Sequence, residues 1–318
     1  MTASRVSCGR HAGLAAAAIL VGSLANWPAL AGETDWSWLD GVYSGEIGAR
    51  AWLGAGETGK SLYGLDGHTM VSRLTYKGLV GASGEIYGQI NERNYFVKGV
   101  AGLGKLAMRG SLQDEDFPPV TSPYSSTDSS LHAGDIGYVT LDGGAYVFQT
   151  ANSRLGLFAG YGYLRQVVNA YGCTQTATNT AVCGTPISDS VAAITQTNGW
   201  NALRLGVNGD MEFGKGWRLQ GDAAVLPFVT LNGTDNHWLR TDLKGGIPED
   251  GTGWGYQLEA MLDYTLANRL TVGIGGRYWH MQTSGSSHFE RVTVSGGPQR
   301  VDWHTDYYGV TAHAGWQF

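Results

Sequence analysis

The sequence predicts an all-β fold, a ten-stranded antiparallel transmembrane β-barrel with long extracellular loops and short periplasmic turns. The last strand is the first observation behind this prediction. From Val310 to Phe318 every second residue is apolar, whereas Thr311, His313 and Gln317 point the other way. Strict alternation over this length is typical of a strand with one lipid-facing side. A terminal aromatic residue is similar to the C-terminal signature that the assembly machinery of bacterial outer membranes reads, so this machinery is an expected partner of Phe318.

The composition is the second observation. The 318 residues include 49 Gly, 16 Tyr and 11 Trp, and only 15% are charged. A soluble protein would carry roughly a quarter charged residues. A barrel wall that presents one residue in two to lipid accounts for the sparse charge and the abundant aromatics. The formal net charge of −6 argues against a nucleic-acid partner.

The third observation is the spacing of the alternating segments. They divide the chain into ten strands, at roughly 42–62, 70–90, 95–112, 131–149, 154–171, 199–212, 217–232, 252–266, 269–283 and 303–318. Short connections alternate with long polar ones, at 113–130, 172–198, 233–251 and 284–302. This alternation is typical of outer-membrane barrels, whose periplasmic turns are short. Because the strand number is even, both termini are expected on the periplasmic side.

The N-terminal segment, residues 1–31, is predicted to be a cleaved signal peptide. Arg5 and Arg10 precede a short apolar stretch, and residues 29–31 give the small-x-small cleavage pattern. An uncleaved anchor is the alternative, and the short apolar stretch disfavours it. Cleavage leaves one domain, residues 32–318, without an apolar run long enough to cross a bilayer as a helix. The expected location is the outer membrane of a Gram-negative type envelope.

Two cysteines remain after the signal peptide, which contains Cys8. Cys173 and Cys183 lie in a polar stretch rich in Thr and Asn. In an oxidising compartment such a pair is interpreted as a disulfide that closes one surface loop. A metal site is the weaker alternative, because two cysteines without a nearby histidine provide too few ligands. No metal is predicted.

Residues 54–61, Gly-Ala-Gly-Glu-Thr-Gly-Lys-Ser, match a phosphate-binding loop pattern. That loop holds phosphate at the N-terminus of a following helix. Here another strand is predicted to follow, so we interpret the match as coincidence.

Two polar clusters follow predicted strands on the long-loop side. In an extended segment residues two apart share a face, so Asp114 and Asp116 are expected to point together, as are Asp235 and His237. Two close carboxylates can share a proton or hold a water. A carboxylate beside an imidazole orients it and suits it to act as a general base. Considered separately, each cluster is equally compatible with a cation contact or an ordinary solvated loop.

Taken together, the clusters and their surroundings resemble the omptin family of outer-membrane proteases. The resemblance covers most of the chain from residue 32 onward and lies in four segments, 71–74, 110–117, 154–161 and 232–237. It implies ten strands and an endopeptidase without a covalent intermediate, a metal or a cofactor. By this resemblance His237 takes a proton from water, Asp235 orients His237, and Asp114 and Asp116 position the water and stabilise the oxyanion.

The chain departs from the family where basic substrates are recognised. Omptins that cut between basic residues hold the residue before the scissile bond with two acidic side chains. The resemblance places one of them near Lys60, where Glu57 is the nearest acid, and the other at Gly233. Cleavage between basic residues is therefore not expected to transfer.

The family's lipopolysaccharide site is matched in part. Tyr161 and Arg165 fit its pattern on the lipid-facing side of the fifth strand, whereas the acid expected between them is Tyr163. A lipid-facing arginine is costly in hydrocarbon and favourable beside phosphate. The alternative for Tyr161 and Tyr163 is membership of the aromatic girdle. Lipid A is thus a candidate ligand, and lipopolysaccharide a candidate activator.

Two functions follow from these observations. The first is an omptin-like endopeptidase of altered specificity that cuts peptides or proteins at the cell surface. The second is a non-catalytic barrel that acts as an adhesin or structural surface protein. A small porin is disfavoured, because side chains fill most of a ten-stranded barrel. A monomer surrounded by outer-membrane lipid is expected.

Overall fold

A computed structural model describes residues 43–117, 122–293 and 296–318. The predicted signal peptide, residues 1–31, lies outside the described residues. The fold is all-β, with strands β1 (Tyr43–Tyr63), β2 (Met70–Lys77), β3 (Gly81–Glu92), β4 (Tyr95–Leu106), β5 (Ser111–Asp116), β6 (Ser125–Leu131), β7 (Gly134–Gln149), β8 (Ser153–Gln175), β9 (Ile187–Phe213), β10 (Trp217–His237), β11 (Ile247–Thr265), β12 (Leu270–Ser287) and β13 (Gln299–Gln317). In the described part of the chain, no helix is long and apolar enough to cross a membrane.

The strands form one closed antiparallel ring. β1 pairs with β13 from Glu46 opposite Gln317 to Leu62 opposite Val301. Three strands of the ring are interrupted, and each consists of two consecutive segments: β2 and β3, β4 and β5, and β6 and β7. Segments β2 and β3 both pair with β1, and β6 and β7 both pair with β8. Between them, β5 pairs with β2 and β6, and β4 pairs with β3 and β7. Counted this way, the ring has ten strands, which confirms the predicted number.

The two faces of the wall differ in polarity. On β13 the side chains of Val310 and Trp316 are 63% and 47% exposed, whereas Thr311 and His313 are buried in the lumen. This confirms the alternation predicted for the last strand. An apolar band about 25 Å tall corresponds to roughly ten residues of a tilted strand. On β1 the outward apolar residues extend from Ile47 through Leu53, so residues beyond Glu57 lie outside the band.

The three interrupted strands break at the same level of the wall. Each break contains residues with positive φ, namely Gly78, Ala107, Gly110 and Ala133. Backbone hydrogen bonds link one break to the next, as from Met108 N to Val80 O and from Leu131 N to Gly110 O. Leu79, Leu106 and Ala107 are buried there in the main apolar cluster. The alternation predicts continuous strands here and not these breaks, because a single residue of positive φ does not interrupt it.

The outer connections are shorter than predicted, because strands continue into the polar segments. β5 extends to Asp116 and β10 to His237, so both polar clusters lie within strands and not just beyond them. Backbone pairing explains the difference, since β10 remains paired with β9 as far as His237 opposite Ile194. Above the membrane a strand needs no apolar alternation, and alternation alone therefore underestimates its length.

Residues 54–61, the phosphate-loop match, form the extended outer part of β1. The described chain continues from there into β2. The helix that a phosphate loop requires does not follow, and Lys60 points into the lumen instead.

The middle of the lumen contains a layer of aromatic side chains. Trp52, Tyr138, Trp279 and Tyr307 have ring centroids 5.0 to 6.4 Å apart. All four belong to one apolar cluster that also includes Trp200 on the other side of the ring. This layer packs across the barrel and separates its outer mouth from its periplasmic half.

The periplasmic half of the lumen is charged and contains a cavity of about 440 Å³. Arg277 Nη1 donates to Glu85 Oε1 at 2.6 Å and its Nη2 lies 2.6 Å from Glu259 Oε2. Arg50 Nη1 contacts Glu259 Oε1 at 2.6 Å. Because each buried charge has an opposite partner, this half of the lumen is held by a balanced network.

Candidate active site

The outer mouth of the lumen brings the two predicted clusters to one level. On one side Lys60 of β1 lies opposite Leu74 of β2, which lies opposite Asp114 of β5. On the other side Asp235 of β10 lies opposite Gln196 of β9. The charges of His237, Asp235 and Lys60 act on the pKa of Asp114, so these groups share one environment.

Asp235 and His237 form a hydrogen-bonded pair at the outer end of β10. His237 Nε2 lies 2.8 Å from Asp235 Oδ2. The contact arises because residues two apart on a strand point to the same side. Asp235 is 1% exposed, whereas His237 is half-buried and reachable from the mouth. When Nε2 carries the hydrogen and donates to Asp235, Nδ1 is left as a proton acceptor.

Opposing effects set the ionisation of this pair. Burial alone lowers the pKa of His237, but the adjacent Asp235 carboxylate outweighs burial and raises it above its usual value. Burial raises the pKa of Asp235, and the Lys60 and His237 charges outweigh burial and hold it well below its usual range. Asp235 is therefore ionised at neutral pH, as a residue that orients an imidazole has to be.

Asp114 and Asp116 lie on the lumen side of β5, while Glu115 between them faces outward. Burial, followed by the charge of Asp116, raises the pKa of Asp114 to about 7. Burial also raises the pKa of Asp116, against a hydrogen bond from Ser72. Outside the wall Arg73 Nη2 donates to Glu115 Oε2 at 2.7 Å. The expected common face of the two aspartates is thus present, and near neutral pH Asp114 can exchange a proton.

Lys60 lies between the two clusters, and the sequence did not predict its contacts with Asp235 and Glu249. Its Nζ donates to Asp235 Oδ2 at 2.5 Å and to Glu249 Oε1 at 2.6 Å, with Gln196 Oε1 at 3.4 Å. Lys60 and Glu249 are buried. Burial lowers the pKa of Lys60, but the two carboxylates outweigh burial and raise it, so the ammonium stays charged.

The structure shows which acid lies beside Lys60, near one of the two positions linked to recognition of basic substrates. Glu57, the nearest acid along the chain, faces outward and lies 3.7 Å from His304, so it does not reach the lumen. Gly233 does face the lumen, where a side chain would contact Asn198 Oδ1. The acid beside Lys60 is Glu249, which lies opposite Gly233 on β11. No local sequence pattern identifies Glu249, because its position depends on that register.

Tyr161 and Arg165 both lie on the exposed face of β8, with Leu155 and Leu157. Tyr161 donates a hydrogen bond to Asn201 Oδ1 at 2.5 Å. Tyr163 lies on the same face and is half-buried. These residues therefore lie on the outer face of the wall.

Cys173 and Cys183 are joined by a disulfide at the outer end of β8. Gln175 N donates to Cys183 O, so the connection folds back on the strand. Among the described residues no group of three or more His, Cys, Asp or Glu side chains has the arrangement of a metal site.

The chain is similar to known proteins in structure but not in sequence. No family model matches this sequence. No curated protein matches it in sequence either. Among solved structures the chain is similar to the outer membrane protease OmpT from Escherichia coli, with a TM-score of 0.71 and 16% identity over 86% of this chain and 97% of that one.

Two more distant structures are the outer membrane protein OprG from Pseudomonas aeruginosa and the translocator domain of the autotransporter NalP from Neisseria meningitidis. Their TM-scores are both 0.33, at 12% and 11% identity over 87% and 85% of this chain and 96% and 88% of theirs. At such identities a similarity establishes the fold alone. The chain has an OmpT-like outer-membrane β-barrel fold.

Proposed function

We propose that the protein is an omptin-like outer-membrane endopeptidase that activates water at the outer mouth of its barrel. The observation that supports this most is the shared environment of an oriented imidazole, His237, and a carboxyl with a pKa of about 7, Asp114. Displaced pKa values on either side of an open mouth are typical of acid–base sites. The barrel fold, similar to that of a protease, is compatible with this proposal.

In the proposed reaction a water lies between His237 and the two aspartates. Nδ1 of His237 accepts a proton as the water oxygen bonds to the carbonyl carbon of the substrate. The electron pair of the C=O double bond moves to its oxygen, and the protonated Asp114 donates a hydrogen bond to that oxyanion. When the C–N bond breaks, His237 returns the proton to the leaving amine. Asp116 holds the water, and Asp235 keeps the imidazole oriented.

The proposed specificity excludes basic residues before the scissile bond. Where a basic substrate would need acidic side chains, this chain has the ammonium of Lys60 and the hydrogen of Gly233. Neither offers an acceptor to a substrate arginine or lysine, and the carboxylates of Asp235 and Glu249 are already occupied by Lys60. Exposed apolar side chains around the mouth, Tyr124, Trp238 and Leu239, suit contact with an extended peptide.

Lipid contacts form a second part of the proposal. Arg165 and Tyr161 are proposed to bind the phosphate of lipid A from the outer leaflet, and lipopolysaccharide is proposed to activate the site. A monomer assembled through its C-terminal Phe318 is proposed to present the site to peptides or proteins outside the cell.

The test of the function compares the parent protein with His237→Ala. Both are refolded with lipopolysaccharide and incubated with a mixed peptide library whose products are identified by mass spectrometry. The expected result is a loss in kcat/KM of about 10²–10⁴-fold, the usual contribution of a general base. His304→Ala is the matched control, because this histidine lies on the outer face.

Two results would contradict the proposal. Equal cleavage by the parent and His237→Ala assigns the activity to other groups. Absence of cleavage by a folded parent, with or without lipopolysaccharide, favours a non-catalytic surface barrel. Preferred cleavage after arginine or lysine by the parent would overturn the specificity alone.

A further inference from the structure

Lys60 is a buried charged group at the mouth, and its contacts are with the protein itself. An ammonium has three hydrogens, and Lys60 has three acceptors, on Asp235, Glu249 and Gln196. These acceptors come from β10, β11 and β9, across the lumen from β1. Because its donors are occupied within the protein, Lys60 is not available to bind a substrate carboxylate.

The ammonium and the imidazole meet at a single oxygen. Lys60 Nζ and His237 Nε2 both contact Asp235 Oδ2, at 2.5 and 2.8 Å. The position of that oxygen fixes the imidazole, and the ammonium fixes the oxygen. Glu249 in turn holds the ammonium from the other side, and Gln196 Nε2 donates to Glu249 Oε2 at 3.1 Å. A chain of contacts therefore leads from β11 to His237.

We propose that Lys60, anchored by Glu249, is a positioning residue that fixes the Asp235 carboxylate and through it the orientation of His237. This inference rests on the proposed function, since positioning has a catalytic effect only if His237 acts on substrate. It also gives the altered pocket a physical explanation. The ammonium of Lys60 lies near the position where the resemblance places a pocket acid, and it is held there by Asp235 and Glu249.

The charges around the site agree with this role. The charges of Asp235, Asp114 and Lys60 act on the pKa of His237, and the charge of His237 acts on Asp116. Arg240 at the rim acts on the two aspartates of β5. A lysine between two acids is bound more strongly than one facing a single acid, because both contacts are charge-assisted. Removal of Lys60 alone takes the shared cation away from two buried carboxylates, which is costly.

The first experiment measures kcat and KM separately for Lys60→Ala on the best peptide of the parent. We expect kcat to fall by about tenfold to a hundredfold, a part of the general-base contribution, with little change in KM. Added n-butylammonium is expected to restore part of kcat, because it can enter the space vacated by the side chain. Lys98→Ala is the matched control, since Lys98 is paired with Asp222 in the periplasmic half.

The second experiment uses Lys60→Met/Glu249→Gln, which removes opposite charges together and so protects folding. Histidine ring resonances of labelled protein, assigned with His237→Ala, report the titration of His237 whether or not any peptide is cut. The Lys60 charge lowers the pKa of His237, so we expect the midpoint to move upward in the double variant.

The results separate this inference from the proposed function. If the parent cuts no peptide, the function fails, and the His237 titration alone decides the role of Lys60. An unchanged kcat in folded Lys60→Ala, a loss confined to KM, or a loss that butylammonium does not restore would overturn the positioning role. An unchanged His237 midpoint in the double variant would overturn it as well.

Discussion

At the scale of single residues, the spacing of charged side chains predicted half of the site. The i, i+2 rule placed Asp114 with Asp116 and Asp235 with His237, because an extended strand fixes the direction of each side chain. It did not find Lys60 or Glu249. Their contacts with the cluster join residues 175 and 189 positions apart, and such contacts depend on register and closure of the ring.

The proton on Asp114 gives the first residue-scale prediction. Asp114 donates to the oxyanion only when protonated, below its pKa of about 7, whereas His237 accepts only when deprotonated. The pH profile of kcat/KM is therefore expected to be bell-shaped with its maximum near neutral pH. In Asp114→Asn the amide donates at every pH, so the alkaline limb should disappear.

Asp114→Asn is also expected to shift the acid limb of the pH profile of kcat/KM. The Asp114 carboxylate raises the pKa of His237, so its removal should shift the acid limb to lower pH. At the optimum Asp114→Asn should stay within about tenfold of the parent, whereas Asp114→Ala should lose roughly 10²–10³-fold, the effect of one oxyanion donor. An alkaline limb that persists in Asp114→Asn would contradict the assigned role.

At the scale of elements, the sequence predicted ten strands and the short turns, and it misplaced the outer strand ends. Apolar alternation ends where the lipid ends, but backbone pairing continues to the rim. The breaks in the second, third and fourth strands were also not predictable from periodicity. They depend on residues such as Ala107 and Ala133, which adopt positive φ although a non-glycine residue disfavours it.

Ala133 provides the element-scale prediction. Its φ is 59° and its side chain is exposed. A left-handed conformation costs a non-glycine residue about 1 kcal/mol, so Ala133→Gly should raise the free energy of unfolding by up to that amount. Urea unfolding of the refolded barrel in micelles measures it.

The control for this prediction is Ala101→Gly, because Ala101 lies on the exposed face of the regular strand β4. Glycine there has no strain to relieve and should lower stability by about 0.5–1 kcal/mol. Equal destabilisation by both substitutions would mean that the break at Ala133 is unstrained.

At the scale of the whole molecule, the barrel places acid and base on different strands of one ring. The aspartates belong to the third strand and the His237 pair to the seventh, so neither hairpin contains the site alone. The aromatic layer around Trp52 and Trp279 closes the lumen below them, which favours a site at the mouth over a pore through the wall. The charged network around Arg277 and Glu85 holds the lower half together.

The most direct test of the central claim is a double-mutant cycle between the two sides of the mouth, with Asp116→Ala, His237→Ala and the combined variant. Residual kcat/KM is measured by mass spectrometry on one peptide. Substitutions of groups that act on the same water have strongly non-additive effects on kcat/KM. The kcat/KM of the combined variant should therefore be within about tenfold of that of the less active single variant. If the two losses multiply instead, the aspartates and His237 do not form one catalytic site.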